Sequence, residues 1–540
     1  MWQQNYAAVG GNLWASAAVA ALPILLLFYL LGVRRLPAWQ SALAALAAAL
    51  AVACLAFGTP VTVAVASVLY GAAFGLFPIC WIVLAAIFLY RLTVGSGQFE
   101  VIKDSIARLT DDARLHVLLI AFAFGAFVEG AAGFGAPVAI AGAMLAGVGV
   151  NPFYAAALCL LANTAPVAFG SIGIPIVTLH KVTELPLDHV SAMVGRISPI
   201  LSLIIPCYLM MVFAGWRGTR AVLPAVFVVS AAFAGVQFAV ANFIGPYLTD
   251  ILASLAAVAG FVVLVRFWKP ANNMRHPEEA GRQRPAHGGG AILKAWMPYL
   301  LIVVFVILWG VGPLQERMGN GTLRFDVPGL HERVQRVPPV VKAPAALKAV
   351  FEFNWLSAAG TACMIAAILG GLSVGLRPRA MARVFGATLR QLALPALTIA
   401  SVLGFAFLMN YSGMTATLGL ALAATGWFFP FFSAFLGWLG VFVTGSDTSA
   451  NALFGSLQVI TAERLGLNPL LTAATNSAAG VMGKMISLQS IAVAVAATGM
   501  PRSDESRLFR WAIKHSLLLT AVIGLIAMLF AHAMPWVVPR

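Results

Sequence analysis

Charge is what this chain has least of. Only 9% of its 540 residues are Asp, Glu, Lys or Arg, and 18 of those are acidic. Soluble domains cover themselves with charged side chains, and no stretch here is long and polar enough to be one. Cysteine is scarce as well. Cys54, Cys80, Cys159, Cys207 and Cys363 stand singly in apolar segments, with no metal spacing, and read as packing residues rather than disulfides. The chain lacks a zinc-binding H-E-x-x-H, a nucleotide P-loop and a G-x-S-x-G elbow, which argues against an enzyme and against a primary pump. No cofactor and no metal ligand is expected; His180 and His189 read as loop residues near a span end.

Apolar residues fill the space left by charge. They make up 61% of the chain, and mean hydropathy is +0.93. Apolar segments of about twenty residues recur almost from end to end, each long enough to cross a bilayer. The fold class expected is an all-α polytopic membrane protein, with about 12 transmembrane helices and two re-entrant hairpins. The net charge of +15 lies mostly in short loops at span ends. That is a topology signal and not a nucleic-acid-binding stripe, so lipid is the expected partner and nucleic acid is not.

Met1–Gly11 lacks the charged flank and cleavage site of a secretory signal, so Asn12–Val33 reads as a retained first span. Arg34-Arg35 then marks the cytoplasm and places the N-terminus in the periplasm. Val61–Leu92 holds Pro78 and reads as one kinked helix or two short ones. Within Gln98–Arg114, Phe99, Ile102, Ile106 and Leu109 share a helical face, which predicts an amphipathic helix on the cytoplasmic surface. The basic loops at Trp216–Arg220, at 269–294 (with Arg275, Arg282 and Arg284), at Arg377–Arg383 and at Arg502–Lys514 read as cytoplasmic. The mixed-charge loop 313–350 and the C-terminus read as periplasmic.

Glu129–Pro137 reads E-G-A-A-G-F-G-A-P, and Glu129 is the one charge in the apolar segment from Val117 to Val150. Three glycines and a proline break the helix there, and irregular backbone at membrane depth must line a cavity or be buried in protein. A second apolar segment, 428–460, is interrupted at Thr444–Asn451. Phe127-Val128-Glu129-Gly130 matches Phe442-Val443-Thr444-Gly445, and Asn151-Pro152 matches Asn468-Pro469 further on. Each Asn-Pro opens a helix expected to be discontinuous. In 153–179 the interruptions fall at Asn163–Pro166 and Gly170–Gly173. In 467–497 they fall at Thr475–Ser477 and Gly483–Ser487. The topology makes the two sets an inverted repeat, the pattern that points to a secondary transporter's midplane site.

The domain division follows: scaffold helices over 1–60; a first repeat over 61–220, with hairpin 117–150 and broken helix 153–179; connecting helices over 221–312; the periplasmic loop 313–350; and a second repeat over 351–540, with hairpin 428–460 and broken helix 467–497. Helix breaks expose free N–H groups that suit a small anion. The substrate-binding candidates are Gly130, Gly133, Gly135, Asn163, Thr164, Ser171, Gly445, Ser446, Thr448, Ser449, Asn451, Asn476, Ser477, Lys484 and Ser487. A charge at the bilayer centre costs about 2.5–3.5 kcal/mol, so Glu129, Asp447 and Lys484 need a partner or a task. Burial favours the protonated carboxyl, which makes Glu129 and then Asp447 the proton-coupling candidates; Lys484 either meets a substrate carboxylate or pairs with one of the acids.

These words resemble the lactate permease family of proton-coupled L-lactate, D-lactate and glycolate transporters. The resemblance rests on E-G-A-A-G-F-G-A-P-V-A-I from Glu129, N-T-A-P-V-A-F-G from Asn163, M-V-G-R ending at Arg196, T-G-S-D-T-S-x-N-A-L-F from Thr444, G-K-M-I-S from Gly483 and K-H-S at Lys514. Leu488 stands where the family usually has proline. The resemblance implies proton symport of a 2-hydroxy monocarboxylate across a bacterial inner membrane. It also implies kinship with the ion-transporter superfamily, and with it an elevator motion and a homodimer. Sodium coupling, or a channel or sensor on the same scaffold, are the alternatives.

Overall fold

The structure, a computed structural model, describes residues 1–133, 135–274, 285–309, 312–341 and 343–539. Among the described residues, eleven helices are long and apolar enough to cross a membrane, or thirteen if two bent helix pairs each count as one span. Leu22, Leu55, Phe227, Phe243 and Phe267 stand exposed on the outer helices, as side chains facing hydrocarbon do. The chain is a multi-pass membrane protein. The segment Val61–Gly95 is one kinked span. Its kink falls at Phe77 (φ −141°, ψ 125°), which Pro78 pushes out of helical geometry.

Gln98–Ala107 is the amphipathic helix, with Phe99, Ile102 and Ile106 buried. It stops short of Arg114 because Asp112 caps a new helix, accepting from the backbone N–H of Arg114. The side chain of Arg114 donates to the Asp112 carboxylate at 2.6 Å, to the carbonyl of Gly218 at 3.3 Å and to the carbonyl of Asn272. The N–H of Met274 donates to Asp112, and His287 lies 3.0 Å from Asp104. Three segments expected on the cytoplasmic side, one amphipathic and two basic, therefore meet. Arg275, Arg282 and Arg284 lie outside the described residues.

The fold is mostly helical, as expected, with a few short strands added around the 313–350 loop. Trp2–Gln3 pairs in parallel with Val334–Arg336, which pairs antiparallel with Ala345–Ala346; Leu323–Asp326 pairs antiparallel with Val350–Phe353. Strands of two to four residues are too short to show a period-2 pattern. They tie the N-terminus and the 313–350 loop to one side, where Gln4 also donates to the carbonyls of Asn410 and Tyr411.

Two hairpins and two broken helices occupy the centre. The first hairpin has arms Ala113–Ala131 and Ala136–Gly147, which pack on each other. Its tip turns on Gly133 (φ 56°) and Gly135 (φ 85°), values that favour glycine; Phe134 lies outside the described residues. The second hairpin has arms Phe429–Thr444 and Asp447–Arg464 and turns on Gly445. Asn151 and Asn468 begin the two broken helices in the same way. Each side chain accepts from the backbone N–H two residues on, with proline between. The first broken helix, Pro152–Ala162 with Val167–Thr183, bends by 64°. The second, Pro469–Lys484 with Leu488–Ala497, bends by 42°.

One expected interruption is absent. The helix Pro469–Lys484 runs straight through Thr475-Asn476-Ser477. Asn476 and Ser477 bond neighbouring elements instead of competing with their own backbone. The break at Met485–Ser487 stands without the family's proline, because Ser487 caps the helix from Leu488 and accepts from the N–H of Ser490.

Candidate functional site

Glu129 sits in the last turn of Gly125–Ala131, two residues before the helix ends at the first tip, and is 2% exposed. Its Oε1 lies 3.0 Å from Nζ of Lys484, the last residue before the second broken helix bends. Glycines make room for the pair: a Cβ on Gly170 would stand 2.5 Å from Oε1, and one on Gly133 would stand 3.4 Å from it. Ser171 closes the side by donating to the carbonyl of Ala132 at 3.3 Å. Ser171 and Ile172 hold φ of 47° and 59°, a sparsely populated region for residues with a side chain and one that clusters at functional sites. Glu129 Oε2 has no hydrogen-bond partner. Of the two roles open to Lys484, pairing with Glu129 is the one realised here.

The second tip supplies the other acid. Asp447, 3% exposed, accepts from Ser477 at 2.6 Å and from Asn451 at 3.3 Å through Oδ2, while Oδ1 is unpartnered. Asn451 also donates to the Pro175 carbonyl at 3.1 Å and accepts from Asn476 at 2.9 Å; Asn476 in turn accepts from Gln458 at 3.1 Å. This buried network bolts the second hairpin to both broken helices. Asn451 and Ser477 hold Asp447 directly and Asn476 holds Asn451, so none of the three faces open space.

Between the tips lies a cavity of about 390 Å³. Glu129, Gly135, Gly170 and Ser171 line it from the first half, and Thr444–Ser449, Lys484, Gln489 and Ser490 from the second. Trp39, Gln391 and Thr398 close it from the helices Ala38–Leu55 and Pro378–Tyr411. Three helices begin at this wall, at Ala136, Asp447 and Leu488, and their N-termini bring partial positive charge and free N–H groups. The cavity thus joins one ammonium, two carboxyls, several hydroxyls and three helix N-termini, a setting for a small hydroxylated anion.

Sequence candidates divide accordingly. Gly135, Ser171, Gly445, Ser446, Thr448, Ser449, Lys484, Glu129 and Asp447 line the cavity. Gly130 packs against Asp250, Gly133 turns the first tip against Ser171, and Ser487 caps a helix. Asn163 and Thr164 sit in a crevice behind Lys484, where Thr164 donates to the carbonyl of Leu161. Gln489 and Ser490 were not among the candidates, although their place just past the second break is the signal that would have found them. Asp250 was missed as well. It is buried against Gly130, where a Cβ would stand 2.9 Å from its own Cβ. Among the described residues, no group of three or more His, Cys, Asp or Glu is placed to hold a metal ion.

Comparison with known proteins agrees with these motifs. The model of the L-lactate permease family matches residues 16–534. The L-lactate permease of Salmonella typhi is 46% identical, with both chains covered in full. The glycolate permease of Escherichia coli is 47% identical over 98% of each chain. Among solved structures, the YdaH transporter of Alcanivorax borkumensis aligns with 85% of this chain and 86% of its own at 14% identity and a TM-score of 0.44; at that distance the two folds are not equated. With 46–47% identity from end to end and a family model covering nearly every residue, this chain belongs to the L-lactate permease family.

Proposed function

We propose that this protein is a secondary transporter of the bacterial inner membrane, taking up L-lactate, and also D-lactate or glycolate, together with a proton. The relatives' names supply the substrate class. One observation carries the coupling: Lys484, the cavity's one cationic side chain among the described residues, is held by Glu129. A substrate carboxylate that recruits Lys484 must displace Glu129. Stripped of its partner, buried Glu129 is stable only with a proton bound. Substrate and proton then enter together, and the loaded site carries no added charge. Gly135 and the helix N-termini at Thr448–Ser449 and Gln489–Ser490 would hold the carboxylate and hydroxyl, with Asp447 as a second acid.

In this reading the two hairpins and broken helices form an inverted repeat that moves, elevator fashion, against the helices bearing Trp39 and Gln391. The paired Asn-Pro caps, tips and bends support it. Trp39 follows Arg34-Arg35, which fits a cavity facing the cytoplasm, with the N-terminus and the 313–350 loop periplasmic. The domain division and the homodimer belong to the same proposal.

Proteoliposomes test it. Radiolabelled lactate is expected to accumulate above equilibrium under an inward-directed proton gradient without sodium, and a protonophore is expected to abolish this. Mere equilibration would indicate a channel. Asp447, whose Oδ1 is unpartnered, lines the cavity together with Thr444 and Ser446, and this oxygen-rich wall favours one second reading, sodium coupling, which accumulation dependent on sodium would establish.

A further inference from the structure

Ammonium, hydroxyls and helix N-termini account for the polar part of the substrate cavity, but not for its apolar part. Ile87, Val167, Ile174 and Val493 line it as well. Ile87, Val167 and Ile174 are buried in the packing around it, whereas Val493 is half-buried and keeps free surface. Lactate and glycolate differ at one place only: the carbon next to the carboxylate bears a methyl group in lactate and hydrogen in glycolate. An apolar group beside that carbon decides how large a substituent the site admits.

Val493 stands one turn above the start of the helix Leu488–Ala497. Residues three and four apart share a helix face, so Val493 adjoins Gln489 and Ser490, which line the same cavity. A helical side chain also leans toward its own N-terminus, here toward the N–H donors of the first turn. The two methyl groups of Val493 meet the first tip. A Cβ on Gly135 would stand 3.7 and 3.8 Å from them, and among the described residues it would meet nothing else within 4 Å. Gly135 holds φ of 85° and so presents bare backbone to Val493. The packing of Leu488–Ala497 on Ala136–Gly147 holds the two together. Val493 thus borders the gap between the two backbone segments that the transport reading gives to the carboxylate.

We propose that Val493 is a specificity residue of the site: its methyl groups receive the substituent on the carbon next to the carboxylate and set the size admitted. With the carboxylate at Gly135 and Gln489–Ser490, the methyl group of lactate packs on Val493. The hydrogen of glycolate leaves that contact unfilled, and a longer chain collides with it.

This rests on the reading that the cavity binds a 2-hydroxy monocarboxylate, and exchange assays separate the two. Initial rates of exchange in proteoliposomes are compared for glycolate, lactate and 2-hydroxybutyrate, so that proton coupling does not enter. One methylene more or less in an apolar pocket changes discrimination by about tenfold or more. Val493→Ala, which opens space, is expected to raise 2-hydroxybutyrate relative to lactate about tenfold. Val493→Leu, which fills it, is expected to lower lactate relative to glycolate about tenfold. Ratios within about twofold of wild type in both variants overturn the proposal, and so does a parallel fall of all three substrates in either one. Wild type that exchanges neither lactate nor glycolate overturns the substrate reading itself.

Discussion

Replacing Lys484 by methionine strands a carboxylate. Glu129 Oε1 has Lys484 at 3.0 Å and Oε2 has no partner, and the two side chains are 3% and 12% exposed. Breaking a buried pair from one side costs about 3–5 kcal/mol. The variant's cheaper course is to bind a proton, which at pH 7 costs about 3.7 kcal/mol for a carboxyl of ordinary pKa about 4.3. Lys484→Met should therefore lose about 3–4 kcal/mol of stability at pH 7. That deficit should shrink by about 1.4 kcal/mol per unit as the pH falls toward 5, because the proton becomes easier to supply. The double variant Lys484→Met, Glu129→Gln should recover most of the loss while remaining inactive. Denaturant unfolding of the purified variants across this pH range, beside wild type, reads all three numbers. A pH-independent deficit, or a double variant no more stable than the single one, would show that the pair is not what holds Glu129 in place.

Other parts of the site give separate outcomes. Gly170→Ala puts a Cβ 2.5 Å from Glu129 Oε1 and should abolish uptake in a folded protein, whereas Gly235→Ala, whose Cβ would meet nothing within 4 Å, should transport normally. Asn451→Ala leaves the Asn476 amide and the Pro175 carbonyl without their partner, at about 1–3 kcal/mol each; thermal unfolding measures it. At Asp112, burial pushes the carboxyl's pKa up, but hydrogen bonds from Arg114 and Met274 outweigh this and hold it below the ordinary value. Its stabilisation is therefore present above the unfolded-state pKa, about 3.9, and is lost as pH falls through the lowered folded value. Wild type should exceed Asp112→Asn in stability at neutral pH, and the margin should close in acid.

Much of this was legible in the sequence, for physical reasons. A lone Glu129 in an apolar run, or a lysine at Gly483-Lys484, is costly in lipid and so announces itself. That Lys484 would pair with an acid was one of two readings; that it would choose Glu129, across 355 positions, was not legible, because it depends on two hairpins turning back and two helices bending by 64° and 42°. The grouping of segments by face was partly legible, since Arg114, Gly218 and Asn272, all expected on one side, do converge. Asp250 escaped notice because an acid in the first turn of a span looks like ordinary helix-terminal chemistry. Only the approach of Gly130 reveals its position. At Asn476 the local signal misled: an Asn-Ser pair suggests a break, but partners from other elements satisfied it and the helix continued. The strands at Trp2 and Val334 form only once the fold has brought them together.

The central claim is that Glu129 carries the proton that accompanies the substrate. Its most direct test is Glu129→Gln in proteoliposomes, with lactate exchange and proton-driven accumulation measured on the same preparation. The account predicts that exchange persists while accumulation and protonophore sensitivity vanish. Accumulation at wild-type level with the same pH dependence would contradict it.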